Sequence, residues 1–180
     1  MRWLMRIVAV VMGLSAATEL AAAELVRDRQ LIETVSVQEV SLATPPREAF
    51  DHLFAMGFRA GDIQNFDGWQ GDGIELVRSG GAEGVSRLIM GRRDGRLTSI
   101  SESWNRPGDP FDAQALIAGA RSHFGIGADD PGCRAASERS GNCRVQDAEA
   151  PEDVDLVFGL QVLPGMLIRY VESRAALAPR

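Results

Sequence analysis

The sequence predicts an α+β fold in which an antiparallel sheet is packed by two helices. Two observations predict it: short apolar segments joined by tight-turn dipeptides, and two amphipathic segments that begin with proline. The segments also divide into two tandem helix-plus-β-hairpin units.

The first 23 residues have the block order of a secretory signal peptide. Arg2 and Arg6 precede the apolar stretch Ile7–Ala17, which is too short to cross a bilayer. Ala21 and Ala23 then form an A-x-A cleavage pattern. We therefore expect export, cleavage after Ala23 and a periplasmic location in a bacterium.

The predicted mature chain, 24–180, is acidic. It keeps 17 arginines against 24 acidic groups, a net charge of −7, because the leader carries two arginines and one glutamate. This balance argues against nucleic acid or an anionic membrane as a partner, since both need a concentrated basic surface. No further apolar run reaches transmembrane length, so we expect no stable membrane insertion after leader removal. The chain also contains no lysine, which excludes Schiff-base chemistry.

The mature chain is predicted to hold one domain, 34–174. The polar segment 24–33 is predicted as a flexible lead-in, and 175–180 as a frayed tail. Within the domain, 44–106 and 109–174 are the two units of a predicted pseudo-repeat.

The first half of the domain begins with a predicted strand, Thr34–Leu42, whose β-branched residues change phase and so indicate a bulge. Thr44 is the predicted cap of the first helix, with Pro45 and Pro46 in its first turn. Aromatic and aliphatic residues at helical spacing give this helix a core face: Phe50, Leu53, Phe54 and Phe58.

Three strands are predicted after a glycine- and aspartate-rich loop: Gly73–Arg78, Val85–Gly91 and Arg96–Trp104. The dipeptide Asp94-Gly95 is a strong hairpin signal between the second and third of them. A second helix is then predicted to open at Asp109-Pro110 and to bury one face up to Phe124.

The last two predicted strands are Val154–Leu163 and Gly165–Ser173, joined by a turn at Pro164-Gly165. The latter strand matches Gly95–Ser103 at four of nine positions with an offset of 70 residues, which suggests an internal duplication. In architecture alone, two such units resemble the β-lactamase inhibitor protein family, whose helix-and-sheet units present a concave sheet to a partner protein. This resemblance carries over no residue.

Cys133 and Cys143 are the only cysteines. Their even number in an oxidising compartment predicts a structural disulfide. The nine residues between them do not match the C-x-x-C spacing of redox pairs, and Ser140-Gly141-Asn142 is the predicted turn of the closed loop.

No catalytic or cofactor signature is present, and we predict no cofactor and no metal. The only histidines, His52 and His123, lie beside or at the end of predicted helices, without a serine elbow. Asp62, Asp67 and Asp72 share one loop, but their spacing does not fit a calcium-binding EF-hand.

The predicted interaction residues are aromatics on loops and arginines at a turn. Phe66 and Trp69 lie among glycines and aspartates, and Trp104 ends a strand, where aromatic side chains serve as binding anchors. Three arginines flank the Asp94-Gly95 turn and suit a carboxylate or phosphate: Arg92, Arg93 and Arg96.

These observations favour an exported, non-catalytic binding protein of the bacterial envelope. Its expected partner is another envelope protein or a small ligand. Two alternatives stay open: a small periplasmic hydrolase that uses carboxylates or histidine, and a carrier of an apolar ligand.

Overall fold

Eight strands join in one sheet in the computed structural model, which describes residues 24–26, 29–81, 84–108, 111–147 and 154–175. Their bounds are β1 Glu24–Val26, β2 Gly73–Ser79, β3 Val85–Arg93, β4 Arg96–Asn105, β5 Cys133–Ser137, β6 Ser140–Asp147, β7 Val154–Leu163 and β8 Met166–Ala175. The sheet order is β1-β6-β7-β8-β4-β3-β2, and β5 also pairs with β6. All pairings are antiparallel except that of β1 with β6, so the predicted antiparallel sheet is confirmed.

Three α-helices accompany the sheet among the described residues. They are α1 Arg29–Glu33, α2 Pro46–Ala55 and α3 Ala113–Phe124, with a short 3-10 turn at Phe66–Gly68. The fold is therefore mostly strand with a few helices. Buried side chains of all three helices belong to the same hydrophobic core as the sheet, for example Ile32, Phe50 and Ile117.

Alternating burial shows that the central strands have one covered and one open face. In β3, Ser86, Leu88 and Met90 are buried, whereas Val85 and Ile89, in the opposite phase, are 37% and 50% exposed. The core lies on the covered side, as the alternation of an antiparallel sheet leads one to expect.

The segment Thr34–Leu42 is a turn, and the strand predicted there is wrong. The backbone N–H of Val37 donates to the Val40 carbonyl oxygen at 2.8 Å, and the N–H of Val40 donates to the Val37 carbonyl oxygen at 3.1 Å. Gln38 and Glu39 between them have φ of 53° and 64°. The change of phase in the sequence thus marks a reversal of the chain and not a bulge. The lead-in 24–33, predicted as flexible, contains β1 and α1, and its Ile32 is fully buried.

The prediction that Thr44 caps the first helix is wrong. The Thr44 hydroxyl accepts a hydrogen bond from the Ser41 backbone N–H at 3.1 Å, which stabilises the turn before α2 and leaves the helix without a side-chain cap. Asp112 caps α3, because its carboxylate accepts from the Ala115 N–H at 2.9 Å. The predicted start at Asp109-Pro110 lies outside the described residues, as do the leader and 176–180.

Cys133 and Cys143 form the predicted disulfide. The two residues are direct partners in the β5–β6 ladder, and both are fully buried. The chain reverses at Glu138 and Arg139, while Ser140-Gly141-Asn142, predicted as the turn, belongs to β6. The disulfide thus crosslinks a hairpin whose turn lies two to three residues earlier than the sequence signal indicated.

β4 and β8 pair at the centre of the sheet, between two antiparallel meanders. Gly95 and Gly165 both occupy turns with φ of 74°, and Leu97 and Leu167 are both buried. A bulge after Leu97 then shifts β4 by one residue. As a result Glu102 and Glu172, which match each other in the sequence comparison, lie on opposite faces of the sheet. The internal duplication stays a prediction.

Candidate functional site

Three segments that are far apart in sequence enclose an open groove of about 490 Å³. They are the start of α2, the glycine- and aspartate-rich loop, and the β3–β4 turn. The groove is lined by Pro45, Pro46, Arg47, Phe66, Gly71, Asp72, Arg92, Arg93, Asp94 and Gly95. It therefore brings together three of the predicted interaction residues: Phe66, Arg92 and Arg93.

The loop side of the groove is held by aromatic packing. The Asn65 side chain accepts a hydrogen bond from the Gly68 N–H at 3.0 Å and so closes the 3-10 turn. This turn sets the Phe66 ring edge-on to Phe50 and Trp69, with centroid distances of 5.9 and 5.8 Å. Phe66 is half-buried, so part of its ring is left to line the groove.

Arg92 clamps the loop to the sheet. Its guanidinium lies 4.3 Å from the centroid of the Trp69 ring and donates to the Trp69 and Gly71 carbonyl oxygens at 2.7 and 3.2 Å. Its backbone N–H donates to the Asp72 carbonyl at 2.7 Å. Two of its five guanidinium N–H donors are bound to loop carbonyl oxygens and one face of the group lies on Trp69, so Arg92 shapes the groove and keeps fewer donors for a ligand.

Trp69 is not an exposed anchor, which corrects the sequence-based expectation. It is 2% exposed and stacks beneath Arg92, with its ring 6.4 Å from that of Phe50. The physical reason is that the short 3-10 turn brings this side chain back onto the core. Trp69 supports the groove from below.

Trp104 and Arg96 lie outside the groove lining. Trp104 is half-buried, opposite Leu167, with its ring 5.4 Å from that of Phe111. Arg96 is exposed and lies directly opposite Arg93 in the β3–β4 ladder. The structure therefore separates Trp104 from the other candidates and keeps Arg96 at the rim.

The remaining charged residues of the groove differ in whether they form ion pairs within the protein. Arg47 forms ion pairs with Asp67 at 3.4 Å and with Asp51 at 4.0 Å. Arg93 is exposed, and no ion pair engages it in the described part of the chain. Asp72 and Asp94 add two exposed carboxylates.

The two histidines do not form a catalytic dyad. His52 Nε2 lies 3.2 Å from the Gln38 carbonyl oxygen and 3.6 Å from a carboxylate oxygen of Glu39, whose side chain is 80% exposed. His123 is exposed, and its nearest polar contact is the Leu31 carbonyl oxygen at 3.4 Å. Neither side chain lines the groove.

Among the described residues, no group of three or more histidine, cysteine, aspartate or glutamate side chains could hold a metal ion. This includes Asp62, Asp67 and Asp72, the loop aspartates considered above.

Glu102 is a buried carboxylate that sequence reasoning did not select. It is 1% exposed, and its Oε1 accepts hydrogen bonds from Ser86 Oγ at 2.6 Å and from Gln38 Nε2 at 2.5 Å. Its Oε2 accepts from Arg169 Nε at 2.8 Å. The cluster joins β3, β4 and β8 to the 37–40 turn that precedes α2.

One sequence signal could have identified this cluster. Glu102 has the same alternation phase as Ile100 and Trp104 in a predicted strand, and an acidic residue in the inward phase needs buried partners. No comparable sequence signal marks Gln38 as a partner of a buried carboxylate, because its segment has the pattern of a strand. Through Gln38 and His52, the cluster fixes the segment that leads to α2 and so to one wall of the groove.

We predict that Arg92→Met lowers the free energy of unfolding by about 1–2 kcal/mol, because it removes two charge-assisted hydrogen bonds and the cation–π contacts with Trp69 and Phe66. The matched control is the exposed neighbour: Arg93→Met should change stability by less than about 0.5 kcal/mol. Urea unfolding followed by tryptophan fluorescence measures both values. Equal effects of the two substitutions would show that Arg92 is not a clamp.

No helix in the described ranges is long and apolar enough to cross a membrane. Comparison of the chain with protein-family models, with curated proteins and with solved structures finds no match at a significant level.

Proposed function

We propose that the protein is an exported, non-catalytic binding protein of the bacterial envelope, and that it binds a partner protein in the groove between α2, the glycine-rich loop and the β3–β4 turn. One observation carries the proposal. Arg92 stacks on Trp69 and bonds to the Trp69 and Gly71 carbonyl oxygens, so contacts within the chain shape the groove, and a preformed concave site reduces the ordering cost of binding.

Export is part of the proposal. The order of charge, apolar and small residues in the first 23 positions supports a leader that is cleaved after Ala23. The disulfide between Cys133 and Cys143 supports an oxidising compartment, of which the periplasm is the bacterial example.

Binding is favoured over a histidine-dependent hydrolase and over an apolar carrier by the composition of the groove. A hydrolase that uses His52 or His123 would need one of them in a cleft beside a nucleophile or carboxylate, and both lie outside the groove lining. An apolar carrier is disfavoured because the groove is open and half of its lining residues are charged, although its volume would suffice.

The finer architecture also belongs to this proposal. We take the protein as two tandem helix-plus-strand units, one containing α2 and β2–β4 and the other containing α3 and β6–β8. The groove lies at one end of the first unit, and the disulfide hairpin belongs to the second. A duplicated scaffold whose loops diverge would place a binding site on one unit and a structural crosslink on the other.

Site-specific photo-crosslinking in the expressing bacterium tests the proposal. We would place p-benzoylphenylalanine at Arg47 or Asp72, which line the groove from different segments, and at Arg139 in the β5–β6 turn as control. Both groove positions should give an adduct of the same mass, and position 139 should not. Adducts that are equally strong at position 139, or none at either groove position, would contradict the proposed site.

A further inference from the structure

We propose that the segment bound in the groove is an extended acidic peptide, whose carboxylates pair with Arg93 and Arg96 while an apolar side chain contacts Phe66. The inference rests on the proposed function, because it names the class of ligand for the same groove. Three features support it. Among the described residues, Arg93 and Arg96 form no ion pair, the neighbouring arginines are bound to other groups of the protein, and an apolar surface lies beside them.

The β3–β4 hairpin ends in a pair of like charges. Arg93 and Arg96 are direct cross-strand partners, both are exposed, and in the part of the chain that the structure describes no carboxylate lies within ion-pair distance of either. Like charges directly opposite each other destabilise a ladder. A carboxylate bound between the two guanidinium groups would remove this repulsion and gain charge-assisted hydrogen bonds.

The other two arginines of the groove are already engaged. Arg47 is shared between Asp51 and Asp67, and Arg92 donates to two carbonyl oxygens while it stacks on Trp69. The hairpin end of the groove therefore offers the guanidinium donors that are least engaged by the protein among the described residues.

The carboxylates of the groove restrict where an acidic ligand can lie. Asp94 is the single acidic residue between the two rim arginines, so this end keeps an excess positive charge. Asp72, at the start of β2, repels a second carboxylate further along the groove. The acidic residues of the ligand should accordingly be clustered at one end, over Arg93 and Arg96.

The apolar surface distinguishes a peptide from a simple anion. Phe66, Pro45 and Pro46 line the groove together with Gly71 and Gly95, which carry no side chain that would obstruct a backbone. An inorganic anion would leave this surface exposed to water, whereas a peptide with an apolar residue beside its acidic residues would cover it.

Fluorescence anisotropy with labelled synthetic peptides tests the inference on the purified mature protein. The probe is an eight-residue peptide with one phenylalanine followed by three aspartates, spaced by glycine and serine. Its comparison peptide has asparagine at the three aspartate positions. We expect the acidic peptide to bind about tenfold more tightly than the asparagine peptide, and we expect this difference to shrink as salt is raised.

Two double variants with the same change in net charge locate the interaction. Arg93→Gln/Arg96→Gln should lower the affinity for the acidic peptide to that for the asparagine peptide. Arg134→Gln/Arg139→Gln, on the exposed β5–β6 hairpin, should leave it unchanged. Circular dichroism and thermal melts establish that both variants are folded.

The outcomes separate this inference from the proposed function. Equal binding of the acidic and asparagine peptides, or equal losses in the two double variants, would overturn the acidic anchor. Absence of binding by either peptide would overturn it as well, even if crosslinking at Arg47 and Asp72 identified a partner. Competition by inorganic phosphate at the same concentration as the acidic peptide would show a simple anion site and would also overturn the inference.

Discussion

Arg169→Met should lower the free energy of unfolding by about 3 kcal/mol. The substitution removes the guanidinium that pairs with Glu102 at 2.8 Å but keeps an apolar stem of similar length. Glu102 is 1% exposed, so its carboxylate would remain buried with only the neutral donors Ser86 and Gln38. Loss of one partner from a buried ion pair typically costs about 3–5 kcal/mol, and we place this case at the lower end because the Arg169 side chain is 30% exposed.

The matched control is an exposed ion pair on the same sheet. Arg87 pairs with Glu75 at 3.1 Å, but the two side chains are 62% and 50% exposed. Arg87→Met should therefore cost less than about 1 kcal/mol. Chemical denaturation of both variants measures the difference, and similar losses in the two would contradict the structural role that we assign to Glu102.

The Cys133→Ala/Cys143→Ala variant should lose about 2–3 kcal/mol of stability, the magnitude expected from the chain-entropy model for a loop of this length. The loss should be concentrated near the hairpin. Arg121 Nε donates to the Cys133 carbonyl at 2.6 Å, and the Ala113 N–H donates to the Glu138 carbonyl at 3.0 Å, so α3 is attached to this hairpin.

Hydrogen exchange distinguishes this local effect from a general one. Amides of β5 and α3 should exchange faster in the double variant, while those of β3 and β4 near the groove should keep their protection until global unfolding. Uniform acceleration across the sheet would show that the disulfide stabilises the whole fold equally. No change at β5 would show that it is dispensable.

The hairpins could be predicted from the sequence because their signals are local. Asp94-Gly95 and Pro164-Gly165 each place glycine at a position of positive φ, and the flanking apolar residues alternate. The bounds of the five strands predicted around these turns therefore agree with β2, β3, β4, β7 and β8 to within two residues, whereas β1, β5 and β6 were not predicted as strands. The same dependence on local signals explains the error at 34–42, where Gln38 and Glu39 adopt positive φ without being glycine.

The candidate site could be predicted only in part, because its geometry depends on contacts distant in sequence. The sequence predicts Phe66 as an aromatic binding anchor and Arg92 and Arg93 as arginines at a turn. The structure brings all three into the lining of the groove. Arg92 donates a hydrogen bond to the Trp69 carbonyl oxygen, and this contact joins residues 23 positions apart that only the folded sheet brings together. That Glu102 would meet Gln38 depends on a contact across 64 residues. Neither follows from periodicity or composition.

Backbone amide shifts of the ¹⁵N-labelled mature protein, titrated with the acidic peptide, show directly whether the groove is the binding site. We expect the shifted amides to cluster in 66–72 and 92–96, the loop and hairpin that line the groove. The β5–β6 hairpin and the open sheet face around Ile89 and Tyr170 should remain unshifted. Shifts centred on that open face, with none at the hairpin tip, would contradict the groove as the binding site.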